Sequence, residues 1–183
     1  MPRSTVRHLW IFVVAYDLAH EGTSKVVVGP ETQRTCAGAV RLFHHLECAR
    51  VVVPAGWSKD YQVIMGKAVM APHLKEAGIP ASMIDSPVAT EFDTNSESDT
   101  FAKHVRSAER DYPDAKHEHT VYVVDRWHHL PRTWLLLRAR LGRDLRTRVR
   151  IHGQPVGSWK LWMVLYEVAA LWKNRKKLYG AFG

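Results

Sequence analysis

Short apolar, β-branched runs alternate along the chain with longer segments whose apolar positions recur three and four residues apart. The run LWIFVVA, residues 9–15, is compact and continuous, the pattern of a strand buried on both faces. TQRTCAGAVRLFHHL, opened by Thr32, carries Ala39, Leu42, Phe43 and Leu46 at helical spacing. RVVVPA, residues 50–55, reads as a second strand ended by Pro54 and Gly56, and residues 63–77 read as a helix closed by Gly78 and Pro80. ASMIDS is a short third strand, and residues 96–112 form a polar-faced helix with Phe101, Val105 and Ala108 on one side. TVYVVD, a helix from about His129 to Leu141, RTRVRIH and a last helix over residues 158–177 complete the pattern. Strands separated by helices imply right-handed crossovers and parallel pairing. The expectation is one α/β domain over residues 1–183: a three-layer α/β/α, Rossmann-like arrangement whose mostly parallel sheet has about five strands.

In an open parallel sheet, ligands bind beyond the carboxyl ends of the strands. Four strand-to-helix corners therefore matter: YDLAHEGTS, PAGWSKD, TEFDTNSESD and DRWHHLPR. In the fourth, Pro131 is tolerated only in a first helical turn, so His129 sits at a helix mouth with Arg132 on the same face. Unpaired backbone N–H groups, an imidazole and a guanidinium there form a site for phosphate or carboxylate. His129 is the candidate general acid or base, and Asp125 at the strand end would orient it. The third corner offers Asn95 and Ser96 as donors lining the same crevice, although Ser96 with Asp99 also resembles a capping box. The second corner offers Gly56 for close backbone approach, Trp57 for stacking and Ser58; Arg34 in the first helix completes the candidate anion-binding set. The first corner lacks a G-x-G-x-x-G turn, so ordinary dinucleotide binding is not expected. His117, His119, His128 and His129 lie close in sequence, but the first two precede their strand and belong at its opposite end from His129, so no metal site is expected from these four neighbours.

The chain has 183 residues, 46% of them apolar and 24% charged, in the ordinary range for a globular domain. No apolar run reaches the ~18 residues that cross a bilayer, and residues 9–15 are too short and wrongly flanked for a signal peptide, so a cytoplasmic protein is expected. Cys36 and Cys48 show no metal-like spacing and read as free thiols. A net charge of +8 favours an anionic partner. Arginines crowd residues 138–150, but no recognised nucleic-acid module accompanies them, and nucleic acid is not an expected partner. Trp159, Trp162, Met163, Tyr166, Ala169 and Ala170 recur at helical spacing ahead of KNRKK, which raises peripheral contact with an anionic membrane as an alternative.

Taken in order, these corners resemble the YdcF/SanA/ElyC-like family, also called domain of unknown function 218. AGWS stands at that family's Ser-Gly-Gly corner, Met70 at its Met, and AGIP at its Gly-Val-Pro. DTNSESD matches its Asn-Thr segment through Asn95 and Ser96, VDRWHHLPR matches its His and Arg through His129 and Arg132, and LYEVAAL supplies Glu167. The match runs over roughly residues 34–171; Gly66 and Lys67 replace the family's Glu-Ala, Ser98 and Asp99 its Glu-Asn, and Asp125 its Thr. The resemblance implies a Rossmann-like fold, a link to cell-envelope polysaccharide metabolism, Glu167 as a further catalytic residue and S-adenosylmethionine as a ligand. The expected function is hydrolysis or group transfer on a phosphorylated or nucleotide-like small molecule. The alternative is a membrane-surface accessory protein of cell-envelope metabolism that binds S-adenosylmethionine or another anionic ligand without catalysis.

Overall fold

The chain folds in the order β1 (Thr5–Val13), β2 (Leu18–Glu21), β3 (Lys25–Val28), α1 (Pro30–His45), β4 (Arg50–Val52), β5 (Trp57–Ser58) and β6 (Val63–Ile64). A π-helical turn, Gly66–Met70, runs into α2 (Ala71–Glu76), followed by β7 (Ile84–Asp85), α3 (Thr94–Ala108), β8 (Lys116–Arg126), α4 (Leu130–Leu141) and β9 (Thr147–Gln154). A final helix, α5, covers residues 165–172. This is a computed structural model, and it describes residues 4–22, 25–141, 147–154 and 165–172.

Strand β1 starts half-exposed and ends with Trp10, Ile11, Phe12 and Val13 buried, so its carboxyl half is covered on both faces. It pairs in parallel with β4 on one side and with β8 on the other. Strand β7 extends the sheet beyond β4 and β9 extends it beyond β8, giving the order β7-β4-β1-β8-β9 with every pairing parallel.

Side-chain alternation along β1 separates the core into two parts. Ile11 and Val13 pack with Cys36, Ala39 and Leu42 of α1 and with Met70 and Leu74. Trp10, Phe12 and Val14 pack with Phe101, Ala102 and Val105 of α3 and with Leu130, Leu137 and Leu141 of α4. Phe12 and Phe101 are fully buried with ring centroids 4.8 Å apart, and burial of each such side chain contributes roughly 1.5–3 kcal/mol. The result is a mixed α/β fold, a parallel sheet flanked by helices, compatible with a Rossmann-like arrangement. Among the described residues no helix is long and apolar enough to cross a membrane. Cys36 and Cys48 are both free, the first buried and the second exposed.

The first corner differs from the expected loop. Strands β2 and β3 pair antiparallel, Val26 and Val28 pack on the core, and Gly22 takes a left-handed φ of 68°. Strand β3 returns the chain to Gly29, where an added Cβ would lie 2.4 Å from the Asp17 carboxyl carbon. That close approach lets Asp17 accept hydrogen bonds from the backbone N–H of Thr32, at 2.8 Å, and of Glu31, at 3.3 Å. The expected helix over residues 63–77 is also split, because residues 63–64 pair with β5 before the helical turns begin. The expected last helix is seen only over 165–172; its predicted ends lie outside the described residues.

Candidate functional site

The site begins where β8 ends. Asp125 is completely buried there, the chain turns through a bond from His129 N–H to the Arg126 carbonyl, and α4 follows. Arg132 N–H and Thr133 N–H both return to the His129 carbonyl, at 3.1 and 3.2 Å, so the first helical turn is built on His129. Pro131 sits in that turn, where its missing N–H costs nothing.

Four donors converge on Asp125. Oδ2 accepts from His129 Nδ1 at 2.8 Å and from the Thr133 hydroxyl at 2.5 Å. Oδ1 accepts from the Arg126 backbone N–H at 2.7 Å and from the Tyr16 hydroxyl. Such a set needs an acceptor-only carboxylate, which places the His129 proton on Nδ1 and leaves the Nε2 lone pair directed outward. Nε2 receives a hydrogen bond from the Arg132 guanidinium, lies 3.3 Å from the Thr94 hydroxyl and lies 3.8 Å from Glu167 Oε1. Arg132 also donates to Thr94 Oγ1 at 3.3 Å, and its Nε lies 3.3 Å from Glu167 Oε2.

A cleft of about 400 Å³ opens over this group, with Tyr16, Thr94, Arg126, His128, His129, Arg132 and Glu167 among its lining residues. The Arg126 guanidinium lies 3.8 Å over the Tyr16 ring, and its Nε is 3.3 Å from Glu31. Burial pulls the Arg126 pKa down, against the opposing influence of Glu31, Asp17 and Asp125. Burial pushes the Glu167 carboxyl up from the ordinary range, while His129 and Arg132 pull it back. His128 is held low by burial and by the Arg126 charge, and its Nδ1 has no hydrogen-bond partner among the described residues. A general base, two guanidiniums and a hydroxyl therefore face one water-accessible space, which suits proton transfer beside an anion.

No protein-family model matches the chain, and no match was found among curated proteins or among solved structures.

Of the residues expected from sequence, His129, Asp125, Arg132 and Glu167 are brought together. The remaining six do not line the cleft. The Asn95 side-chain oxygen accepts from Arg140 on α4, which turns the amide away from His129. Ser96 spends its hydroxyl on Thr90 Oγ1 at 2.8 Å and on the Glu91 N–H at 3.1 Å. The helix cap is Asp93, whose carboxylate accepts from Asn95 N–H at 2.7 Å and Ser96 N–H at 2.9 Å, so the Ser96–Asp99 box is not formed. Gly56 does serve a close approach, but to backbone: its Cβ would meet the Glu91 carbonyl oxygen at 2.6 Å. Trp57 is exposed and Ser58 buried, both in the small β5–β6 hairpin. Arg34 pairs with Glu31 at 2.8 Å, one turn away on α1.

Sequence reasoning passed over Tyr16, Thr94, Arg126 and Thr133. Thr133 carried a signal, since it follows His129 by four residues and so shares its helical face. Thr94 adjoins Asn95, and the start of α3 at Thr94 rather than Ser96 directs it to His129. Among the described residues, the group able to gather around a metal ion is His8, His117 and His119, away from this cleft.

Proposed function

We propose that the chain is an enzyme of hydrolysis or group transfer acting on a phosphorylated small molecule held at the carboxyl ends of the strands. The Asp125–His129 pair, with Nε2 facing the cleft beside the Thr94 hydroxyl and hydrogen-bonded by Arg132, is the observation that carries this reading. Once Arg132 turns from Nε2 to the anionic group, His129 removes the proton from the attacking hydroxyl as its oxygen bonds to phosphorus, and Thr94 orients that group. Asp125 stabilises the imidazolium, which returns the proton to the departing oxygen as the old P–O bond breaks. Arg132, joined by Arg126, meets the negative charge of the transferring group. Glu167 holds Arg132 in place.

The ordered motifs support membership of the YdcF/SanA/ElyC-like family, and with it a three-layer Rossmann-like domain. The residues do not suit S-adenosylmethionine or a dinucleotide bound in the usual Rossmann manner. The α1 N–H groups that would face such a ligand are taken by Asp17, and no glycine-rich turn follows β1. A compact phosphate ester fits better.

The test is turnover of a panel of sugar phosphates and chromogenic phosphate esters, with calorimetric titration of inorganic phosphate. His129→Ala is expected to lose about 10²–10⁴ in rate. Arg132→Ala should weaken phosphate binding about 10- to 100-fold, the size of a lost charged hydrogen bond. Unchanged rate and unchanged affinity in both variants would remove the assignment.

A second reading rests on α5, where Leu165, Tyr166 and Val168 are exposed by 61%, 59% and 60%. An apolar surface of this kind on a basic chain suits an accessory protein resting on anionic lipid without catalysis. Co-sedimentation with anionic but not neutral vesicles supports it; equal recovery from both dismisses it.

A further inference from the structure

At the amino end of the sheet, remote from the cleft, three imidazoles meet. Parallel pairing of β1 and β8 puts His8 opposite His119, with His117 two residues earlier on the same face of β8. One nitrogen from each of the three lies within 4.8 Å of the other two. His8 Nε2 and His117 Nδ1 are 2.9 Å apart, and the rings lie nearly coplanar, with centroids 5.2 Å apart and planes inclined by 18°. Two nitrogens therefore point at each other along one line, sharing a single proton between them.

The surrounding bonds assign each ring a role. The His117 Nε2–H donates to the Tyr112 carbonyl at 2.9 Å, which fixes the tautomer and frees the Nδ1 lone pair. His119 is different. Its Nδ1 accepts from the Trp10 indole N–H at 3.1 Å, so its proton must sit on Nε2, where it donates to Glu109 Oε1 at 3.0 Å. Its ring also lies flat against His8, with centroids 4.6 Å apart and planes inclined by 11°. Stacked rings cannot both aim in-plane lone pairs at one ion. His119 is thus a positioning residue: held by Trp10 and Glu109, its ring backs the face of His8 and fixes that ring's plane.

We infer that this cluster is a binding site for a divalent transition metal of the zinc class, with His8 Nε2 and His117 Nδ1 as imidazole ligands. Zinc–nitrogen bonds of about 2.0–2.1 Å in tetrahedral geometry set two ligand nitrogens roughly 3.4 Å apart. The ion replaces the shared proton once the pair opens from 2.9 Å by about 0.5 Å and each ring turns by roughly 35°, so that both lone pairs meet beside the line between the nitrogens. Two neutral imidazoles leave two coordination positions for water or an external ligand.

The experiment uses the full chain stripped of metal by chelator and titrated with Zn²⁺ against a competing chromogenic chelator, with Co²⁺ as a spectroscopic probe. The expected result is one Zn²⁺ per chain and visible ligand-field bands of tetrahedral Co²⁺. His117→Ala and His8→Gln should each weaken Zn²⁺ binding by at least about 100-fold, and His119→Asn by about 10–100-fold through loss of the ring that backs His8. His45→Ala, an exposed histidine elsewhere, should leave binding as it is. Circular dichroism establishes that each variant is folded; should His117→Ala not fold, His8→Gln and the wild-type Co²⁺ spectrum decide. Absence of Zn²⁺ binding in the wild type, or equal affinity in the wild type and a folded His8→Gln/His117→Gln variant, would overturn the inference and leave a hydrogen-bonded imidazole pair.

Discussion

Asp125→Asn tests the site at its centre. The carboxylate accepts four hydrogen bonds, and an amide can accept at only one of its two ends. The Arg126 backbone N–H cannot reorient, so the amide oxygen must take the Oδ1 position, 2.7 Å from that nitrogen. The amide NH₂ then faces His129 Nδ1 and the Thr133 hydroxyl. The hydroxyl can turn to accept; the imidazole can accept only by moving its proton to Nε2. That tautomer places a donor against the Arg132 guanidinium and removes the base from the cleft. Two charge-assisted hydrogen bonds are lost at a buried position, a cost of about 3–5 kcal/mol in stability. Removal of the basic lone pair costs on the order of 10⁴ in rate, as an Asp-to-Asn change does in a hydrolase relay. Long-range ¹H–¹⁵N NMR of the imidazole at mildly alkaline pH reads the tautomer directly, and urea denaturation reads the stability. A wild-type spectrum showing the proton on Nε2, or an Asp125→Asn protein that keeps it on Nδ1, would refute the reasoning.

Three further outcomes are expected. Phe101→Ala should destabilise by about 3–5 kcal/mol, since the ring is fully buried against Phe12 and Trp10; a loss below about 1 kcal/mol in urea denaturation would contradict the described packing. Glu97 is 1% exposed, its Oε1 has no hydrogen-bond partner among the described residues, and burial with help from Asp93 raises its pKa well above the ordinary range while Arg132 opposes. Its stability contribution is therefore intact below the unfolded-state value near 4.5 and lost as pH rises toward the raised folded value, so Glu97→Gln should stabilise the protein at pH 8 far more than at pH 4; an equal gain at both would count against a buried neutral carboxyl. His8 and His119 are both held below the usual imidazole value of 6.5, foremost by burial. Their contribution is present above that value and lost as pH falls through the lowered folded values, so metal-free protein should lose stability between pH 7 and 5; a His8→Gln/His119→Asn variant with an undiminished slope would argue otherwise.

The parts of this molecule readable in advance are those whose geometry is local. His129 and Arg132 share a turn, and Asp125 precedes them across a proline-marked helix start, so spacing alone placed them together. Burial on both faces made β1 and β8 visible as apolar runs. The failures come from contacts across long separations. Tyr16 reaches Asp125 over 109 residues and Thr94 reaches His129 over 35, and no periodicity records such meetings. Asn95 and Ser96 are the donors that the third corner offers to a reading of the sequence, yet Asp93 capping sets the first turn of α3 and brings Thr94 to His129 instead. Residues 18–28 offered β-branched valines, but the charged and small residues between them masked the pairing of β2 with β3.

Strand β8 carries a cluster of titratable side chains at each of its extremities: His117 and His119 near its start, Asp125 at its close. Eight residues at about 3.3 Å each set the two ends some 26 Å apart. Because side chains alternate strictly, sliding this strand by one position against β1 would turn the imidazoles and the carboxylate to the wrong face at once. A single-residue insertion near Tyr122 would therefore disable one extremity or the other, wherever the shift was absorbed, while the same insertion between β2 and β3 would disturb neither. The strand acts as a ruler whose graduations are shared by two separate side-chain clusters.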